Sequence, residues 1–374
     1  MIVIIGAGLI GLAIAFELAT RGASVRVLDA RAPGKAASWA GAGMLAPYTE
    51  ALVSRSFEEL CVRSLALYPR FVEGVRAAGG VDARLRLNGV LEAAYDDAQE
   101  RRLRAHAEAL AARGVAARFL ERDETRFMEP ALGPGVRGAA YSAAEGSVDN
   151  RRLGRALQAA CSALGVRIDA PGGDVALEAD ARRVLGVQTR AGFAAAQTVI
   201  NAAGAWAGIV DGVPAHVRVP VTPVKGQMLA LAMPRGLVRR VTWVPGAYLV
   251  PRDDGRLLIG ATVENAGFDV RVTAAGTRAL LDAALAALPV LGDLAVAETW
   301  AGLRPGTPDG LPYIGATALT GYVVATGHYR NGILLAPATA RGVADLVEGR
   351  PDGALAPFAL ERKDAPATVA KESA

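Results

Sequence analysis

The chain reads as an α/β protein in which a parallel, nucleotide-binding core alternates along the sequence with antiparallel-sheet segments. Three observations carry that expectation. Residues 2–28 run strand, glycine turn, helix, strand; short glycine-rich segments return at 201–206 and 327–332; and 217–260 alternate as strands separated by Pro-Gly turns. With 374 residues, 52% of them hydrophobic, the chain can bury two or three cores.

The first unit sets the pattern. Ile2–Ile5 is a short β-branched run suited to a buried parallel strand. Gly6-Ala7-Gly8-Leu9-Ile10-Gly11 follows, then apolar residues at near-helical spacing up to Arg21-Gly22, where Gly22 suits a helix C-cap. A second strand over 24–28 ends at Asp29. The small-residue stretch 34–47 leads to a long helix over 54–78. Residues 84–95 predict a strand pair turning at Asn88-Gly89. Helices are expected over 96–113, 122–127 and 150–164, and strands near 166–169, 175–178, 183–189 and 198–200. After the alternating block come a helix over 274–288 closed by Pro289, strands over 295–303 and 321–326, and a last helix over roughly 332–348.

Composition excludes several functions. The 41 basic and 37 acidic residues leave a net charge of +4, too thin for nucleic acid or an anionic membrane. Two cysteines, Cys61 and Cys161, make no disulfide framework, and His106, His216 and His328 lie too far apart to suggest a metal site. The apolar start of the chain is broken by Gly6, Gly8 and Gly11 and meets Glu17 early, so neither a signal peptide nor a membrane span is expected. A cytoplasmic setting follows as the expectation.

The glycine turn gains weight from its context. Gly6 allows the tight turn, Gly8 a close approach of backbone to a pyrophosphate, and Gly11 close packing of helix on sheet. The helix N-terminus offers N–H donors to phosphate. Asp29, 18 residues after Gly11, is placed to bind a ribose diol, which favours NAD or FAD over NADP. The loop carrying Ser38, Gly41, Ala42 and Gly43 presents backbone N–H groups with little bulk, fit to wrap phosphates and a flavin ring. Trp39, Met44, Leu45 and Pro47 make it too apolar for a solvated linker.

The segments 37–47, 201–206 and 301–310, and above all Gly327-His328-Tyr329-Arg330-Asn331-Gly332-Ile333-Leu334-Leu335-Ala336-Pro337, resemble the glycine oxidases within the D-amino acid oxidase family of FAD flavoproteins. The resemblance runs in order from residue 1 to about 350. It implies a Rossmann-type FAD-binding domain of the GR2/DAO-like kind over 1–79, 141–216 and 301–363. Interleaved with it is an antiparallel-sheet α+β substrate domain over 80–140 and 217–300, with a flexible tail at 364–374.

The implied chemistry is hydride transfer from the α-carbon of a small amino acid to the flavin. The imine then hydrolyses, and O2 takes the electrons to give H2O2, so positioning matters more than a protein acid or base. The implied substrates are glycine, sarcosine or small D-amino acids, with a role in forming the thiazole of thiamine. Arg304 corresponds to the clamp on the substrate carboxylate. Tyr248 adds a hydroxyl, although a strand tyrosine serves equally in packing. Arg330 lies beside the flavin by resemblance, and a structural ion pair suits it as well.

Met44 is placed at the substrate cavity, where a methionine also serves as plain filler. The resemblance adds Val175, Ala203, Gly204 and Trp206 to the cofactor set, together with Arg304, the segment from His328 and Tyr329 to Leu334, and the Gly6–Gly11 turn. FAD is expected to be noncovalent, since neither cysteine falls near Gly302, where flavin-tethering relatives carry one. A homotetramer is implied. A sarcosine oxidase, a D-amino acid dehydrogenase and a non-catalytic flavin-binding subunit remain open on the same residues.

Overall fold

A computed structural model describes residues 1–50 and 54–362; the expected tail lies outside them. A six-stranded sheet runs in the order Tyr313–Ala316, Tyr322–Thr326, Thr198–Asn201, Ile2–Ile5, Val25–Leu28, Arg167–Asp169. Every neighbouring pair is parallel except the outermost, Tyr313–Ala316 against Tyr322–Thr326.

Both faces of this sheet are covered, which is why its strands read as continuous apolar runs. Successive side chains of the first strand point to opposite faces. Ile4 joins a core with the helices Leu9–Thr20, Arg55–Gly79, Asn150–Ala163 and Ala336–Val347, while Val3 and Ile5 join a second core with Leu177, Val187 and Val324. That second face is roofed by the antiparallel strands Ala176–Ala179, Val184–Thr189 and Gly192–Ala195. Gly22, with φ 85°, follows the first helix in left-handed conformation, as its sequence position predicts.

The larger sheet has eight strands in the order Val296–Gly306, Thr222–Ala232, Arg256–Gly260, Ala247–Pro251, Val241–Val244, Val90–Ala94, Gly138–Ser142, Ala117–Glu121. It is antiparallel apart from the Val241–Val244 and Val90–Ala94 pair. One face buries Leu229, Leu249 and Ile259 against the helix Ala274–Ala287. The other sets Met228, Val250 and Trp300 against Ala40, Ala42 and Ala46 of the small-residue loop. That contact joins the two sheets and places the site between them.

Three local expectations change. The Asn88-Gly89 dipeptide does not close a hairpin. Arg86 pairs with Ser147, while Val90–Ala94 inserts between two other strands, so partners distant in sequence override the local turn preference. The strand expected to end near 303 continues through Gly306, because Thr222–Lys225 pair with its Leu303–Gly306 end. It therefore runs past residue 301, where the sequence placed a domain boundary. The last helix begins at Ala336 rather than near 332. No described helix is long and apolar enough to cross a membrane.

Candidate active site

The carboxyl ends of the parallel strands deliver Gly6, Asp29, Ala202 and Gly327 to one edge of the six-stranded sheet, the usual ligand crevice of an open α/β sheet. A cleft of about 1360 Å3, its open mouth included, runs from there to the larger sheet.

Its first end is built by the glycine turn. A Cβ on Gly6 would lie 2.3 Å from the Ala202 carbonyl oxygen, and one on Gly11 1.9 Å from that of Gly6, so only glycine lets strand and helix approach this closely. The Asp29 carboxylate accepts from the Ala7 N–H (2.8 Å) and the Arg31 N–H (2.9 Å). The Arg31 guanidinium stacks 3.5 Å from the Trp206 ring centroid.

The loop beyond is held from every side. The Leu9 N–H donates to the Ser38 hydroxyl (2.9 Å), Asn150 Nδ2 donates to the Ser38 carbonyl (2.7 Å), and Trp300 Nε1 donates to the Ala40 carbonyl (2.9 Å). Arg252 Nη2 donates to the Ala42 carbonyl (2.7 Å). Gly43 has φ 70°, and a Cβ there would sit 1.9 Å from the Val148 carbonyl oxygen. Ala37–Ala40 forms a single helical turn inside the stretch read from sequence as loop.

At the far end the larger sheet supplies Arg304 and Tyr248. Gly226 lies across from Gly302 in the neighbouring strand, and a Cβ on it would collide with the Arg304 guanidinium at 2.4 Å. Gly260 similarly makes room for the Tyr248 hydroxyl. Arg304 Nη1 donates to the carbonyls of Thr262 (3.0 Å) and Lys225 (3.4 Å), and the side chain forms no ion pair among the described residues. Burial pushes the Tyr248 phenol upward, and the Arg304 charge opposes that.

The segment 327–333 closes the cleft. Tyr68 donates its hydroxyl to the Ile333 carbonyl and Ser64 to that of Leu334, each at 2.6 Å, so the long helix fixes this backbone. His328 is buried with Nε2 3.1 Å from the Thr339 hydroxyl. Burial pulls its pKa down to about 3, leaving a neutral ring that anchors the helix and takes no acid role.

Most of the residues singled out in the sequence line this one cleft: Gly6, Gly8, Leu9, Ile10, Asp29, Ser38, Gly41, Ala42, Gly43, Met44, Ala203, Gly204, Trp206, Tyr248, Arg304, and His328 through Ile333. Ala7, Gly11 and Leu334 stand behind the lining. Val175 is also outside it, half-buried in the core that includes Ala203.

Sequence reasoning missed Arg31, Glu50, Met228 and Trp243, which line the cleft too. Burial pushes the Glu50 carboxyl above its ordinary range, while Arg330, a hydrogen bond with Asn331, and Arg304 pull it back. No periodicity marks Glu50. Arg31 is one of 37 arginines, and only its spacing two residues after Asp29 could have pointed to it.

An extended dinucleotide fits this lining. A Cβ on Gly204 would meet nothing within 4 Å, and one on Gly8 only the Ser38 hydroxyl, so bare backbone faces the space. Two buried donors without a protein partner, Arg31 Nε and Trp243 Nε1, lie in its wall. Among the described residues no cluster of side chains could hold a metal ion.

Known proteins agree with this geometry. The sequence pattern of the FAD dependent oxidoreductase (DAO) family matches residues 1–346. The chain is 38% identical over 367 residues to the bifunctional protein ThiO/ThiG of Trichormus variabilis, covering 96% of this chain and 55% of that protein. It thus spans about half the length of the first curated relatives it matches. It is 37% identical to the glycine oxidase of Pseudomonas putida, over 93% of this chain and 94% of that one. The crystal structure of glycine oxidase from Geobacillus kaustophilus superposes with a TM-score of 0.92 at 36% identity, covering 97% of this chain and 99% of that chain. The chain therefore belongs to the DAO family of FAD-dependent oxidoreductases.

Proposed function

We propose that the chain oxidises glycine, and with it sarcosine and small D-amino acids, to the imine, with O2 as electron acceptor; for glycine the final products are glyoxylate, ammonia and H2O2. The observation that carries this reading is Arg304, held by two backbone carbonyls at the cleft's far end, with no ion pair among the described residues and Tyr248 beside it. The flavin, when bound, supplies the two-electron acceptor that passes electrons on to O2.

The chain's own residues then position and neutralise. Arg304 takes the substrate carboxylate with its planar fork, and Tyr248 adds a hydroxyl donor. Met44, Met228 and Trp243 narrow the space around a small Cα substituent. Glu50 sets a carboxylate among Arg330, Asn331 and Arg304, which keeps this end from holding an uncompensated excess of cations. For the cofactor, Asp29 and Arg31 would hold the adenosine ribose, the turn 6–11 and loop 38–43 would hold the phosphates, and 327–333 would hold the ring. Val175 supports the adenine by resemblance alone.

The same reading assigns the six-stranded sheet and its helices to FAD and the eight-stranded sheet to substrate. It includes a cytoplasmic homotetramer that serves thiamine thiazole synthesis, a view supported by the family resemblance and by the ThiO/ThiG relatives. The test is anaerobic: glycine, sarcosine, D-alanine and D-proline are each mixed with the yellow protein and flavin bleaching is followed, with H2O2 assayed after air is admitted. Bleaching by glycine with stoichiometric H2O2 is expected. Bleaching only by other substrates rejects the substrate assignment, and slow reoxidation in air would mark a dehydrogenase.

A further inference from the structure

A second cleft, of about 760 Å3 with its mouth, lies where the two sheets meet on the far side of the small-residue loop. It is formed by the first turns of the helix Asn150–Ala163, the turn 251–256 between two strands of the larger sheet, residues 84–86, and Arg235. Seven of the chain's 37 arginines line it, against three aspartates.

Those three carboxylates are already engaged. Asp253 pairs with Arg86 (2.9 Å) and Asp254 with Arg256 (2.7 Å). Asp149 accepts the Arg152 N–H (2.9 Å) as the helix cap. Arg84 turns to Asp82 (3.3 Å). Four guanidiniums remain with no ion pair among the described residues: Arg152, Arg155, Arg235 and Arg252.

Arg252 is the telling one. It is only 6% exposed, and its Nη2 donates to two neutral acceptors, the Ala42 carbonyl and Asn150 Oδ1. Burial lowers its pKa to about 10, and the nearby Asp149 carboxylate opposes that only in part. A buried cation facing three more cations across a cavity is costly unless an anion enters. With Asp149 already counted, a single further carboxylate would still leave the set cationic. Two or more charges on tetrahedral oxygens, which guanidinium forks match bidentately, would balance the set.

We propose that this cleft binds a small phosphate-bearing anion, as free phosphate, diphosphate or a phosphate monoester, with Arg252 at its floor and Arg152, Arg155 and Arg235 at its rim. The site is separate from the cofactor cleft and does not depend on the substrate assigned above.

The test uses FAD-loaded protein, so that the cofactor's own phosphate positions are filled. Titration calorimetry with pyrophosphate, against sodium chloride at matched ionic strength, is expected to show one saturable site per chain. Parallel titrations with inorganic phosphate and glycerol phosphate separate a free anion from an ester by which binds tighter. In the variant Arg155→Glu/Arg235→Glu, both positions being exposed and outside the catalytic cleft, pyrophosphate affinity should fall at least about tenfold. Glycine-driven flavin bleaching in anion-free buffer should be unchanged. Arg152→Gln, a milder change in the same wall, should weaken binding in the same direction if the double variant folds poorly. No saturable binding beyond the chloride control overturns the proposal. So does unchanged affinity in the variants, or binding seen only after FAD is stripped.

Discussion

Arg304 is positioned less by its own neighbours in sequence than by what faces it across the sheet. Gly226 leaves the room, and the Thr262 and Lys225 carbonyls fix the guanidinium. Arg304→Ala should therefore raise the KM for glycine about a hundredfold, roughly 3 kcal/mol of charge-assisted hydrogen bonding. The flavin absorbance of the purified protein should stay intact. Loss of FAD with an unchanged KM would show that the residue serves the cofactor instead.

Glu50 carries a different signature. Its carboxyl is raised by burial and held down by Arg330, Asn331 and Arg304, so protonation on the acid side uncovers those cations. An acid limb in the pH profile of kcat/KM, placed above the ordinary carboxylate range, is expected in the native enzyme. Glu50→Gln should abolish that limb, and a limb that persists would assign it elsewhere. The place of Arg304 in the cleft was legible because the 301–310 segment carries the family resemblance. Glu50 was not, because its role comes from residues some 250 to 280 positions away.

Among the elements, the strand–turn–helix–strand unit at the start was readable almost to the residue. Local propensity, burial on both faces and the glycine turn all demand the same structure there. The small-residue loop shows the same agreement. Gly43 combines φ 70° with a missing Cβ that would fall 1.9 Å from the Val148 carbonyl oxygen. Gly43→Ala should cost more than about 2 kcal/mol, through left-handed strain and a backbone clash. It should also release FAD, read as a drop in both thermal midpoint and flavin content. An alanine variant of wild-type stability and colour would mean that the loop is not held as described.

The elements that misled are those whose partners are remote. Asn88-Gly89 is a strong hairpin signal, yet Gly89 donates its N–H to the Glu145 carbonyl, and Asn88 Nδ2 reaches the Arg239 carbonyl. Ala117–Glu121 and Gly138–Ser142 carry little alternation and become strands through pairing, the first at the sheet edge with the second, and the second with Val90–Ala94 as well.

At the scale of the whole molecule, the interleaving of two sheets was legible because glycine turns of one kind recur around a block of another. The strand Val296–Gly306 blurs the division, since it belongs to the larger sheet while its Trp300 donates to the Ala40 carbonyl of the small-residue loop. Buried titratable groups, Glu129, Glu145 and His328 among them, make stability depend on pH. Glu145 accepts the Tyr48 and Thr49 N–H groups and the Thr49 hydroxyl, and Glu129 accepts the Arg239 N–H; burial pushes each carboxyl up to about 7.

Between the ordinary carboxylate value near 4.5 and 7, the folded chain holds two protons that the unfolded chain has lost. Their contribution is complete below the unfolded value and is lost as pH rises through 7. His328, lowered to about 3, acts oppositely: its contribution is present above 6.5 and fades as pH falls towards 3. From pH 5 to 6.5 two protons bound in the native state oppose one bound in the unfolded state. Stability should fall with rising pH there by at most about 1.4 kcal/mol per unit, levelling off as the carboxyls lose their protons through 7. Urea midpoints at pH 5, 6 and 7.5 should therefore decline in that order. Glu129→Gln/Glu145→Gln should make the decline markedly shallower, since the histidine's rise is then opposed only by the raised Glu50 carboxyl. A native midpoint that climbs steadily from pH 5 to 7.5 would mean that these carboxyls ionise at ordinary values in the folded protein.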